Sequence, residues 1–204
     1  MARKDSKDSK KERILEAALK LFSLKGFHAT TTKEIAGESG VAEGLIFYYF
    51  GDKRTLLLHL VQNFSFAVTV QKEIEHLTQQ SLEESLVQYG LKYHRFLKLN
   101  ADYIKLVWSP EMIQDEAVSK EVFRFIEKIG TVGSNLLKRD ADDAQPLDES
   151  TCQAAVMMLT SSILVYFMIH SRFGEHALEA DEESYIRRLV RLLLHGMHGA
   201  FSES

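Results

Sequence analysis

The chain has almost nothing in it to stop a helix: 2 prolines and 11 glycines in 204 residues. Proline removes a backbone donor and glycine adds chain entropy, so their scarcity leaves room for long helices and argues against a turn-rich all-β fold. Hydrophobic residues make up 45% and charged residues 26%, the balance of a globular protein with a core to bury. A single cysteine, Cys152, rules out a disulfide framework within one chain and fits a reducing compartment. It lies amid Thr151, Gln153, Ala154 and Ala155, in what reads as helix. There a thiol is a small buried apolar group rather than a reactive one. The N-terminus MARKDSKDSKKER has no apolar run behind it of signal-peptide length. The most apolar stretch, Ala154 to Ile169, holds Thr160, Ser161 and Ser162 and falls short of the roughly 20 apolar residues that a spanning helix needs. No membrane span is expected, and the reading is cytoplasmic.

Local start and stop signals divide the chain into about nine helices. After a polar arm over residues 1–8, Ser9-Lys-Lys-Glu12 reads as a capping box, and Ile14, Ala17, Ala18, Leu21 and Phe22 follow at helical spacing up to Gly26. Thr31-Thr-Lys-Glu34 opens a short helix to Ser39, Gly40 turns the chain, and a third helix covers Ala42 to Tyr49. Asp52 caps a fourth, striped by Leu56, Leu57, Leu60, Val61 and Phe64. Ser81-Leu-Glu-Glu84 starts a helix to Leu99; a short one from Asp102 is bent or stopped at Ser109-Pro110; another runs from Asp115 to Leu137. Lys138 to Pro146 reads as a loop. Asp148 caps a long apolar helix ending at Gly174, and Asp181 to Phe201 is a last amphipathic helix with Ile186, Leu189, Val190, Leu193 and Met197 on one face. No period-two strand pattern interrupts them. The expected fold is all-α.

The net charge of -4 hides an asymmetry. Residues 1–54 hold 11 Lys+Arg against 8 Asp+Glu, and the remainder hold 14 against 21. A basic head on an acidic body points to a head that meets a polyanion. Within the head, Thr30 to Lys53 spells a capped helix, a glycine turn and a second short helix, with Ile35, Ala36, Val41, Ile46 and Phe50 able to bury against Phe22. That is the helix-turn-helix plan, in which early residues of the second helix meet base edges in the major groove. Those residues are Ala42, Glu43, Gly44 and Leu45. Tyr48 and Tyr49 can carry hydroxyls to phosphates, with Thr31, Thr32, Lys33 and Lys53 around them.

In residue order the segment resembles the DNA-binding domain of the TetR (tetracycline-repressor-like) family of transcriptional regulators. The family pattern is carried by Thr31-Thr32, Ile35-Ala36, Gly40-Val41, Gly44, the cluster Phe47-Tyr48-Tyr49-Phe50 and Lys53, with the lead-in AALKLFSLKGFHATT. The resemblance covers about 50 residues and implies a homodimer with two such heads. It implies phosphate contacts from Thr31, Thr32, Tyr49 and Lys53, and base contacts from Lys33, Glu43, Gly44, Leu45 and Tyr48. Three positions depart from expectation. Phe47 stands where the family usually has tyrosine. Gly37 weakens its helix by about 1 kcal/mol relative to alanine. Glu43 places an acid in the groove-facing turn, where it either accepts from a cytosine amino group or repels phosphate.

The expected division is a helix-turn-helix DNA-binding domain over 1–54 and a helical ligand-binding and dimerisation domain over 55–204. The second carries Phe66, Met112, Phe123, Phe125, Met157 and Phe167 among its apolar side chains. Tyr89, Tyr93, Phe96, Trp108 and Met158 are its expected ligand contacts, for a small hydrophobic effector, and His94 is a weaker candidate. The helix from Asp148 to Gly174 is apolar nearly all round and must be covered on every side. Pairing of the last two helices with those of a second copy does this in an isologous interface. His195 and His198 share a helix face, but two histidines without a third ligand make a poor metal site. No catalytic set, cofactor motif or metal cluster stands out. The resulting expectation is a non-enzymatic regulator bound to a double-stranded palindromic operator. Its rivals are a protein-binding adaptor that keeps the fold without operator binding, and an enzyme acting on a lipophilic substrate.

Overall fold

The structure, a computed structural model, describes residues 2–63, 80–139, 147–174, 177–178 and 180–200. The side chains of 2–8, 63, 139 and 197–200 are outside that description, as are Phe64, Phe66 and the segment 140–146. The described residues form ten helices and no strand. They are α1 (Ala2–Lys25), α2 (Thr32–Ser39), α3 (Glu43–Phe50), α4 (Lys53–Asn63), α5 (Leu82–Leu99), α6 (Ala101–Val107), α7 (Pro110–Ile113), α8 (Glu116–Arg139), α9 (Glu149–Phe173) and α10 (Glu182–Ala200).

Most helices begin where short side chains satisfy orphan amides. Asp52 accepts from the Thr55 N–H at 2.7 Å, Asp115 from Ala117 and Val118, Asp148 from Ser150 and Thr151 and Asp181 from Ser184. Three details differ from expectation. The first helix runs back to Ala2 rather than starting at Ser9, because alanine, arginine and lysine before Ser9 favour helix and no proline or glycine breaks the ladder. The tenth helix comes from Ser109-Pro110. This pair ends α6 and starts α7, with Ser109 Oγ accepting from Met112 N–H and Pro110 in the first turn, where its missing N–H costs nothing. The helix before the expected loop also runs two residues into it, to Arg139.

The chain forms two compact units. Met1–Ser65 packs with Asn100–Arg124, and Phe66–Leu99 packs with Phe125–Ser204. In the first, α1 packs on α2, α4 and α6 around Ile14, Phe22, Phe27, Ile35, Ile46, Phe50, Leu56 and Leu57. Each fully buried side chain of this size contributes about 1.5–3 kcal/mol. Val41 is only half-buried. In the second unit, α5 packs on α9 and α10. Helix α9 buries Ala155, Val156, Leu159, Ile163 and Phe167. It is long and apolar enough to cross a membrane, yet this face lies in the protein. Its other face leaves Met157, Met158, Val165 and Met168 exposed. Cys152 is fully buried, and burial pushes its thiol pKa up.

Candidate nucleic-acid interface

The local sequence sets the start of α2 through a reciprocal cap. Thr31 Oγ1 accepts from the Glu34 N–H at 3.2 Å, and the Thr31 N–H donates to Glu34 Oε2 at 2.9 Å. The Lys25 ammonium and then these Thr31 bonds lower the Glu34 carboxyl to a pKa of about 2. At its other end Gly40 takes the left-handed conformation (φ 64°), and a Cβ there would lie 2.7 Å from the Arg13 guanidinium. That guanidinium donates to the Ser39 and Gly40 carbonyls, so the turn is tied to α1 as well as to α2.

Helix α3 starts at Ala42 without a side-chain cap. What holds its first turn is tertiary: Thr32 Oγ1 donates to Glu43 Oε1 at 2.5 Å. Glu43 thus joins the start of α3 to the start of α2. Ile46 and Phe50 anchor the inner face, while Tyr48 is 69% and Phe47 48% exposed. Ala42 and Gly44 are exposed, Leu45 and Tyr49 half-buried, and Lys33 projects from the neighbouring turn of α2. A Cβ built on Gly44 meets nothing within 4 Å. Gly44, Phe47 and Tyr48 are spaced to share one open helix face, narrow enough for a major groove.

Lys53 has a different surrounding. Its ammonium donates to the Thr30 carbonyl at 2.7 Å and the Phe27 carbonyl at 2.8 Å, with the His28 carbonyl at 3.4 Å. It also sits 4.5 Å from the centroid of the Phe27 ring. The same turn is held by Glu111, which accepts from the Phe27 N–H at 3.0 Å and the His28 N–H at 2.9 Å. Lys53 and Glu111 therefore secure the carbonyls and amides of the chain that enters α2. The motif marks Lys53 but not its acceptors, which are backbone atoms far upstream. Glu111 has no sequence signal at all.

The expected ligand contacts are dispersed. Tyr89 is fully buried and donates to the Ile129 carbonyl at 2.9 Å. Tyr93 is also buried, and burial raises the pKa of both phenols. Phe96 packs against Phe125 with ring centroids 5.6 Å apart. Trp108 and Met158 are exposed, and Trp108 belongs to the first compact unit. His195 is exposed, and the His198 side chain lies outside the described residues.

Residues 14–60 match the family model described as bacterial regulatory proteins, tetR family. The chain is 27% identical to the HTH-type transcriptional regulator YvkB of Bacillus subtilis (strain 168), over 91% of this chain and 96% of that protein. It is 33% identical to the HTH-type transcriptional regulator YerO of the same organism, over 57% of this chain but only 41% of YerO. Among solved structures, the transcriptional regulator FadR from Bacillus subtilis, in complex with stearoyl-CoA, superposes with a TM-score of 0.66 at 18% identity, covering 91% of this chain and 98% of FadR. The capped α2, the glycine turn, the open face of α3 and these likenesses lead to one assignment: residues 14–60 form a helix-turn-helix domain of the tetR family of bacterial regulatory proteins.

Proposed function

We propose that the protein is a cytoplasmic homodimer that represses transcription from a palindromic operator and is released by a small effector. The observation that carries this reading is the open face of α3, which is held by caps and clamps that leave Gly44, Phe47 and Tyr48 uncovered. Residues 1–54 act as the DNA-binding head and 55–204 as the sensing and pairing body. Thr31, Lys33 and Tyr49 serve the phosphates; Ala42, Gly44, Leu45 and Tyr48 face the bases. Thr32 and Glu43 position the two helices relative to each other, and Lys53 positions the turn before them. Half-sites in successive major grooves lie about 34–36 Å apart, so an effector that prefers another spacing of the heads depopulates the DNA-competent dimer.

Selection of bound sequences from a random duplex pool tests this, with a Lys33→Ala/Tyr48→Ala double variant as control. Recovery of a palindrome by the wild type, weakened in the variant, is expected. No enrichment at low salt, with a specific protein partner recovered instead, turns the reading into a protein-binding adaptor.

On the operator so selected, Glu43→Gln is expected to tighten binding about 3- to 10-fold. The amide keeps an acceptor for Thr32 and removes a negative charge beside the phosphates. Its effect is expected to be similar across sequences and to shrink at high salt. If Glu43 instead reads a cytosine, the same variant loses affinity for the selected site alone.

Pairing is supported by α9 and α10. Met158, Val165 and Met168 lie at spacings that put them on one side of α9, and Leu192 of α10 is 71% exposed. Such a row is costly to leave in water. Met158→Asp with Val165→Asp is expected to convert the dimer to a monomer by light scattering. It is also expected to cost at least tenfold in operator affinity, because each half-site then binds alone.

A further inference from the structure

The second compact unit holds a cavity of about 590 Å³, the size of a small-molecule site. It lies between the C-terminal ends of α5 and α9 and the N-terminus of α10. Phe167 and Leu178 give it an apolar wall. The rest of the lining is mostly polar. His94, 4% exposed, has Nδ1 3.0 Å from Glu182 Oε2, and the Lys98 ammonium lies 3.6 Å from the same oxygen. His170 Nδ1 lies 3.0 Å from the Tyr166 carbonyl. A carboxylate and a carbonyl only accept, so both Nδ1 atoms carry the hydrogen, which in a neutral ring leaves Nε2 as an acceptor. Burial, with Lys98 and His170 adding to it, holds the His94 pKa below the usual histidine range despite Glu182.

Charge then decides what such a site takes. Lys98 supplies one positive charge, Asp181 and Glu182 two negative ones. The two carboxylates outnumber the one ammonium, so these groups sum to a negative charge. Glu182 already accepts from His94 and pairs with Lys98, the two groups that an anionic ligand needs. Acceptors in a net negative recess beside an apolar wall fit a donor-rich cation.

We infer that this cavity is the effector site, and that it takes an organic cation: an ammonium or amidinium head directed to Glu182 and His170, on an aromatic or aliphatic body that lies against Phe167 and Leu178. The inference rests on the reading of the protein as an effector-released regulator and names that effector's chemical class. Occupation acts on α9 and α10 together, the two helices that carry the exposed apolar face.

The test is calorimetric titration of the full chain with three probes of matched body: 4-phenylbutylamine, 4-phenylbutanol and 4-phenylbutyrate. The amine is expected to bind at least tenfold more tightly than the alcohol, and the acid more weakly than either. Glu182→Gln is expected to erase the advantage of the amine and leave the affinity for the alcohol unchanged. Glu183→Gln, whose carboxylate pairs with Arg187 outside the cavity, is expected to change neither. Leu178→Trp fills the apolar wall and is expected to weaken the amine and the alcohol together. Equal or tighter binding of the acid, survival of the amine's advantage in Glu182→Gln, or no binding of any probe at millimolar concentration overturns the inference. Amine binding that meets these criteria but leaves operator affinity unchanged keeps the cation site and removes its role as effector site. Absence of any operator binding by the ligand-free protein refutes the regulatory reading independently of the three probes.

Discussion

Replacing Lys53 with methionine is expected to destabilise the N-terminal unit by about 3 kcal/mol, and to lower its melting midpoint by about 10 °C. The methionine keeps the apolar stem against Phe27 and removes only the ammonium. The Thr30 and Phe27 carbonyls then lose a donor at 2.7 and 2.8 Å, and Thr30 is itself fully buried, so water does not replace it cheaply. Operator affinity is expected to fall more than tenfold alongside, since this turn sets the entry into α2. A lysine that merely met a phosphate gives a different result. Stability is then unchanged, binding weakens uniformly, and the salt dependence falls by about one counterion. Thermal melting and a salt titration of the same variant distinguish the two roles.

Gly133→Leu is expected to cost about 3 kcal/mol or more in the second unit, measured by denaturant midpoint. A Cβ at this position meets Val156 Cγ1 at 2.6 Å, Val156 Cγ2 at 2.9 Å and Tyr89 Cζ at 3.3 Å. Val156 is 1% exposed and Tyr89 fully buried, so neither side chain has space to give way, and overpacking forces the backbones of α8 and α9 apart. Gly130, one turn earlier on the same helix, has nothing within 4 Å of an added Cβ. Gly130→Ala is therefore expected to stabilise by about 0.5–1 kcal/mol through helix propensity. Two glycines three residues apart give opposite signs because only one of them meets a neighbouring helix. A third variant, Tyr89→Ala, belongs with Gly133: it is expected to lower stability by about 3–5 kcal/mol rather than to report on a ligand.

The helix-turn-helix was legible in the sequence because its determinants are local. A cap joins residues three apart, as Thr31 does with Glu34 and Asp52 with Thr55, and a left-handed glycine such as Gly40 acts within one turn. Spacing alone also separated the side of α3 that carries Ile46 and Phe50 from the side that carries Tyr48. The same locality placed the N-terminal boundaries of α8, α9 and α10 at Asp115, Asp148 and Asp181. It failed where an interaction joins distant parts of the chain. Lys53 was visible, but its carbonyl acceptors belong to another turn of the chain. Glu111 holds amides more than 80 residues away. Aromatic composition drew attention to Tyr89 and Tyr93, which are buried, while the cavity is walled by His94, His170 and Glu182 from three helices. Hydrogen bonds between neighbours in sequence are written in the order of the residues; which carbonyl finds which cation, and which carboxylate borders an empty volume, depends on how the helices pack.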